Sequence, residues 1–261
     1  MNFANRKIAR PIVACLACAF SLLPFAAAAE EQAITPHIAE YKVKVNVLSG
    51  RLRSEVRLTD EGYSAHSTLE AAGFASIFVR GDVSERSVFA ADADGIRPLR
   101  YSSEDRISKE DKFMDFVFDW SSKQVTGTIN DEEIAMDLDG PVHDRVSIQY
   151  ELMLDLLNGR QSGEYLLLDD FESKLLEVTN VGTRTVKVPY GKFEAVGIQH
   201  RKKKSKSERL TTLWCVAELD YLPVMIEQHR KGKLRMRAVL TQYEPLTLTA
   251  GNSQSVLTEY D

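Results

Sequence analysis

The chain has too few cysteines, in the wrong places, to be stapled by disulfides. Of its three cysteines, Cys15 and Cys18 lie close to the start, and only Cys215 falls in the body of the 261-residue sequence. No intrachain bridge is available to that body, which must stand on packing, and Cys215 beside Trp214 is expected to be a buried small hydrophobe. Histidine is sparse as well. His37, His66, His143, His200 and His229 occur without His-x-His, HExxH or a cysteine pair, the close spacings by which zinc and copper sites fix their geometry. His200 and His229 fall on strands that could be neighbours, and both are read as ordinary strand histidines. Asp92-Ala93-Asp94-Gly95 and Asp137-Leu138-Asp139-Gly140 lack the further oxygens and the bidentate glutamate of a calcium loop, so both are read as Asx-Gly turns. No metal site is expected.

Catalytic signatures are missing too. There is no Gly-x-Ser-x-Gly elbow and no glycine-rich phosphate loop. Gly62-Tyr63-Ser64-Ala65-His66 comes closest, but it lies in an alternating stretch with Ser64 and His66 on the polar side. A carboxylate pair of the glycosidase kind is set by distance in space, so 38 acidic residues leave it open without singling one out. No cofactor is expected, and the chain is read as a non-enzyme.

What is present at the start is an export leader. Arg6, Lys7 and Arg10 form a positive region, Pro11 to Phe25 is apolar, and Ala26 to Ala29 offer small residues before Glu30. Residues 1–29 are therefore read as a cleaved signal peptide. The apolar stretch is shorter than the roughly 20 residues a span needs, so no transmembrane span is expected after cleavage. A lipoprotein signal acylating Cys15 is disfavoured, because only Pro11 to Ala14 separate it from Arg10. Loss of the leader's three cations takes the net charge from −5 to −8. Residues 30–248 are read as one β-rich domain and 249–261 as a flexible tail.

The body of the chain alternates with period two. Tyr41, Val43, Val45 and Val47 alternate with polar residues, as do Leu52, Ser54, Val56 and Leu58, and Ser49-Gly50 is read as the hairpin turn between them. Further strands are expected at 63–69, 80–90, 97–106, 112–120, 124–129, 133–138, 164–169, 174–179, 183–188, 193–201, 208–217, 223–230 and 233–242. One segment breaks the alternation. From Asp144 to Leu157, Val146, Tyr150, Met153 and Leu157 recur at helical spacing beside a second row, Ile148, Leu152 and Leu156, with Asp144 to cap the start and Asn158-Gly159 to end it. A shorter helical piece is expected at Gly73 to Val79. With connections too short for parallel crossovers, the expected fold is mainly β. It is a large curved antiparallel meander, a barrel or half-barrel, with one amphipathic helix on its concave face.

Five segments occur in an order that carries a resemblance: Gly95-Ile96-Arg97-Pro98-Leu99-Arg100-Tyr101, the Phe118-Asp119-Trp120 strand end, the Asp144-to-Leu157 segment, Val188-Pro189-Tyr190-Gly191-Lys192-Phe193, and Trp214-Cys215-Val216-Ala217-Glu218-Leu219-Asp220-Tyr221-Leu222-Pro223-Val224. Taken together they resemble the exported bacterial family known as domain of unknown function 3108, from about Tyr41 to Leu240. Cys215-Val216 directly after Trp214 departs from its usual pattern. The resemblance implies a Gram-negative periplasmic address and no particular activity.

Two groups of residues are candidates for contact with a ligand. Phe116, Phe118 and Trp120 share a strand face, and with Tyr150 and Met153 of the helix and Trp214 they are expected to line a cavity for a lipid or other hydrophobic ligand. Arg201, Lys202, Lys203, Lys204 and Lys206 form a basic run on a loop, a candidate contact for an anionic envelope surface. A filled core and a solvated hairpin tip are the plainer readings of the two. Nucleic acid is an improbable partner for an exported acidic chain. The expected function is a periplasmic binding or carrier module. The alternatives are a structural or interaction protein of the envelope, which would contact another envelope protein, and, third, a hydrolase of envelope polymers.

Overall fold

The computed structural model describes residues 34–246 apart from 78, 80, 93, 171 and 204–207. The expected leader (1–29) and tail (249–261), with Lys204 and Lys206, lie outside the described residues. Eight strands come first: β1 (His37–Val45), β2 (Leu48–Thr59), β3 (Gly62–Ala71), β4 (Asp82–Asp92), β5 (Gly95–Asp105), β6 (Lys112–Asp119), β7 (Gln124–Ile129) and β8 (Glu132–Asp137). A two-residue strand β9 (Val142–His143) leads into the helix α1 (Ser147–Leu157). Then follow β10 (Gly163–Asp169), β11 (Glu172–Val188), β12 (Gly191–Lys202), β13 (Arg209–Val216), β14 (Leu222–Arg230) and β15 (Lys233–Pro245). A short 3-10 turn at Gly73–Ile77 stands where helical structure was expected. Among the described residues no helix is long and apolar enough to cross a membrane.

All fifteen strands form one curved sheet in the order β8-β7-β6-β5-β4-β3-β2-β1-β15-β14-β13-β12-β11-β10-β9. The first and last strands of the domain pair with each other, so β1 and β15 stand at its middle. Its two edges, β8 and β9, are consecutive in the chain and joined only by residues 138–141. The sheet therefore curls back on itself and stops short of closing, leaving a seam between those edges.

Three expectations need correction. The first hairpin turns at Asn46-Val47, and Ser49-Gly50 lie inside β2, with Val43 opposite Gly50. Asn46 takes φ 53°, a left-handed conformation that asparagine tolerates, so it supplies the turn as well as a glycine would. The strands expected at 174–179 and 183–188 are one strand, β11, bent by a register shift between Asn180 and Thr183. The sheet also contains one parallel pair, β9 with β10, because α1 supplies the crossover that the other connections are too short to make.

The helix starts on a reciprocal cap. Asp144 Oδ1 accepts from the Val146 and Ser147 N–H groups at 2.7 and 2.8 Å, and Ser147 Oγ accepts from the Asp144 N–H at 2.9 Å. It ends with the Arg160 N–H on the Asp155 carbonyl at 2.7 Å. Both rows of apolar residues are buried except for Leu157, which is exposed at the helix end. Ile148, Leu152 and Leu156 pack with Tyr165, Leu176 and Leu213, while Tyr150, Met153 and Leu154 join the larger cluster around Phe89 and Phe116. The helix is thus a wedge inside the curve.

The distal half of the β11–β12 hairpin folds over the sheet's other face. Beyond the bend, β11 contacts β14 and β15, and the Tyr190 N–H donates to the Leu240 carbonyl. Under this arm lies Trp214. Its neighbours Leu213 and Cys215 face the helix, so alternation turns Trp214 outward, beneath the Arg184 guanidinium of the arm. The arm can approach because residue 197 is glycine: a Cβ there would come within 2.7 Å of both the Trp214 ring and Val181. Cys215 is buried as expected, and burial pushes its thiol up, which leaves it inert.

Candidate functional site

Five of the six expected ligand-contact residues are core. Phe116, Phe118, Tyr150, Met153 and Trp214 are buried in one cluster, and Trp120 packs half-buried against it. Trp214 stands on the opposite face of the sheet from the others, under the arm. Its indole N–H donates to Glu227 at 3.2 Å, and the Arg184 guanidinium lies 3.7 Å above its ring. Burial raises the Glu227 pKa, but hydrogen bonds from Arg237 and Trp214 and the two arginine charges hold it below the usual range. Of the six, Trp120 borders an open cleft and Met153 a small one.

The basic run divides. Arg201 pairs with Glu177 at 2.7 Å, Lys202 with Asp169, and Lys203 with Glu164, so all three described cations already have anions. His200 and His229 are not neighbours: His200 pairs with Thr211 on β13, and His229 lies on β14 opposite Leu210. Among the described residues no group of histidine, cysteine and carboxylate side chains could hold a metal ion.

Open space lies instead at the seam. A cleft of about 810 Å³ is bounded by the β4–β5 turn, the β6–β7 turn, the 138–141 connection, β9, the middle of α1 at Glu151 and the start of β10. Ile96, Trp120, Leu138 and Pro141 give it an apolar wall, and His143, Glu151, Arg160 and Tyr165 a polar one. Trp120 is fixed there by its N–H on the Pro98 carbonyl at 2.6 Å and by stacking on Phe118 at 6.4 Å.

Two polar groups in this wall have spare bonding capacity. His143 is 3% exposed, yet its Nδ1 has no hydrogen-bond partner among the described residues. Burial lowers its pKa to about 4, so the ring is neutral at ordinary pH. Glu151 is buried on α1, and one of its oxygens accepts the Ile96 N–H at 2.7 Å. Burial raises its pKa, with the charge of Asp155 adding to the effect. Glycine at 95 makes the contact possible: φ is +118°, and a Cβ would sit 2.9 Å from the Glu151 carboxylate. One turn along, Asp155 is committed, accepting from the Tyr165 hydroxyl and pairing with Arg160 at 3.2 Å. Buried polar groups are ordinarily satisfied, so the Nδ1 of His143, a residue of the cleft lining, is the most informative atom of the site.

Sequence reasoning passed over His143, Glu151 and Tyr165. A signal existed for Glu151 and Asp155, which stand four apart between two apolar rows and so had to be buried with them. For His143 there was none, since β9 exists only through its parallel pairing with β10.

The curved, nearly closed sheet places the chain in the class of β-barrel-like folds. The β-barrel-like protein of domain of unknown function 1849 from Brucella abortus matches at a TM-score of 0.57 and 13% identity, over 82% of this chain and 99% of that one. A candidate exported protein of YmcC-like fold from Bacteroides fragilis matches at a TM-score of 0.32 and 13% identity, over 80% of this chain and 95% of its own. No curated protein matches the sequence. Within the class, the chain belongs to the family of proteins of unknown function DUF3108, whose sequence profile matches residues 38–239.

Proposed function

We propose that the protein is a non-catalytic binding module of the Gram-negative periplasm that holds an amphipathic ligand in the seam cleft. The observation that carries this reading is the pairing of an unsatisfied, buried His143 Nδ1 with an open cleft whose facing wall is Trp120, Ile96 and Leu138. Its volume of about 810 Å³ is in the range of small-molecule sites, which are mostly apolar with a few placed polar groups. The apolar part of the ligand lies on Trp120, and its polar head exchanges hydrogen bonds with His143 and Glu151. Binding is preferred to hydrolysis in this reading: Glu151 already accepts the Ile96 N–H, Asp155 is committed to Arg160 and Tyr165, and Glu164 pairs with Lys203. The periplasmic address rests on the leader-like start of the chain.

Trp120 is a built-in reporter, since the other tryptophan, Trp214, lies under the arm. Titration with a lysophospholipid, followed by tryptophan fluorescence, is expected to saturate in the native protein. Glu151→Gln should weaken it about tenfold, the loss of one good contact. Native mass spectrometry of protein taken gently from the periplasm should show a bound mass. Ligand-free protein together with a flat titration defeats the reading.

A further inference from the structure

The end of the sheet opposite the seam has a different chemistry. Antiparallel strands alternate their turns between two ends, so the β4–β5 and β6–β7 turns lie at the cleft. The β1–β2 and β14–β15 turns and the β3–β4 connection fall at the other end, on neighbouring strands. The β14–β15 turn reads Arg230-Lys231-Gly232-Lys233, Arg235 follows it, and Lys42 and Lys44 approach the same end along β1. The Asn46 N–H donates to the Arg235 carbonyl at 3.0 Å, which ties the two turns side by side. None of these six cations has an ion-pair partner among the described residues, in a chain whose net charge is −5. The acids on the same strands and loops are Glu40 on β1, Glu70, paired with Arg51 at 3.5 Å, Asp82 opposite Glu70, Glu208, and Glu227, which is paired with Arg184 and Arg237.

The same end presents apolar tips. Val47, at the point of the β1–β2 turn, is 95% exposed, and Phe74, in the β3–β4 connection, is 78% exposed. A second cleft of about 460 Å³ lies between them, and Lys42 and Arg51 line it too. Cations alone would suit any polyanion. Exposed valine and phenylalanine side chains at adjoining tips gain nothing from a soluble polyanion, but they gain from hydrocarbon beneath a layer of phosphates.

We propose that this end docks on an anionic phospholipid bilayer. Val47 and Phe74 enter the interface, and the cations of the β14–β15 turn and of β1 meet the lipid phosphates. The proposal is independent of the seam cleft, which faces away from the membrane in this pose.

The test uses residues 30–261 and sedimentation with two vesicle preparations, pure phosphatidylcholine and phosphatidylcholine mixed with phosphatidylglycerol. Binding is expected to the mixed vesicles alone and to fall as salt rises. Lys44→Ser, Lys231→Ser, Lys233→Ser and Arg235→Ser combined should weaken it by about a hundredfold or more, each cation near the surface being worth about fivefold. Val47→Ser with Phe74→Ser should weaken it about tenfold. In a second readout, Val47→Trp should shift its emission to the blue on mixed vesicles and not on phosphatidylcholine. Equal retention by both vesicles, unchanged binding by the serine variants, or an unshifted Trp signal would each overturn the proposal. So would binding to soluble polyglutamate as tight as to vesicles and indifferent to the Val47 and Phe74 substitutions.

Discussion

The two arms of the sheet bury their side chains in different ways. On β6, Met114, Phe116 and Phe118 are buried while Phe113, Asp115, Val117 and Asp119 are exposed, the alternation of a sheet with one covered face. On β13, every residue from Thr212 to Val216 is buried, and β14 opens with four buried residues in a row. The cause is the bent β11–β12 hairpin. Its distal half covers one face of β13–β15 while the helix covers the other, so this part of the sheet is a middle layer. A strand with one cover can be read from its period, whereas a strand with two loses its period and gains dependence on a distant segment.

The largest expected effect tests that difference directly. Trp214→Ala and Phe116→Ala should each cost about 3–5 kcal/mol of unfolding free energy, the usual range for emptying an aromatic site in a core. They should differ in what they release. Losing Trp214 removes the surface on which the arm lies and takes one donor from Glu227, so trypsin should gain access to Lys187 and Lys192. Losing Phe116 should leave those sites protected in a variant of matched stability. If limited proteolysis cuts both variants alike, the arm is not held by Trp214 and the contrast between the two arms fails.

The same contrast explains how far the sequence could be read. The strands from β2 to β8 follow from alternation and turn residues, and Asp144 and Asn158-Gly159 mark the ends of the helix by residue type alone. Residue type also groups Trp214 with the aromatic side chains of β6 on the concave side, and there it misleads. The face Trp214 occupies depends on the arm, which depends on the bend at Asn180–Thr183, and Gly197 is the one local sign of that close approach. The seam was hidden for a related reason. A two-residue strand such as β9 has no period, and its pairing through a helical crossover is a property of the whole curl.

A smaller effect separates the seam from the packed core through pH. Folded His143 takes up a proton only near pH 4, while in the unfolded chain it does so near 6.5. Between these values the unfolded state binds more protons. The contribution is therefore fully present above about 6.5 and is lost as pH falls toward 4, on the order of 3 kcal/mol in all. In His143→Gln, stability measured by urea unfolding should fall less steeply across that window, whatever its value at neutral pH. Should ligand occupy the cleft and bond Nδ1, the native protein should resist acid further, and the Gln variant should not. An unchanged acid slope in the variant would mean that another buried group carries it.

The smallest effect concerns the wedge that both arms share. Asp144 caps α1 through two backbone N–H groups and also accepts from the Ser87 hydroxyl at 2.6 Å, which links the helix start to β4. Burial raises its pKa to about 6 against the pull of those hydrogen bonds. This sign is the reverse of the histidine's. The folded state binds the extra proton, so this group's contribution declines as pH rises from 3.8 toward 6. Asp144→Ala should cost about 1 kcal/mol through the lost cap. Asp144→Asn keeps an acceptor for Val146 and Ser147 and has no charge to desolvate, so it should sit close to the native stability at neutral pH. It should also unfold more readily than the native protein on acidification, because the opposing contribution is gone and the loss from His143 is left uncompensated. If alanine and asparagine are equally costly at neutral pH, the cap is not what Asp144 contributes, and its bond to Ser87 is the part that holds the wedge to β4.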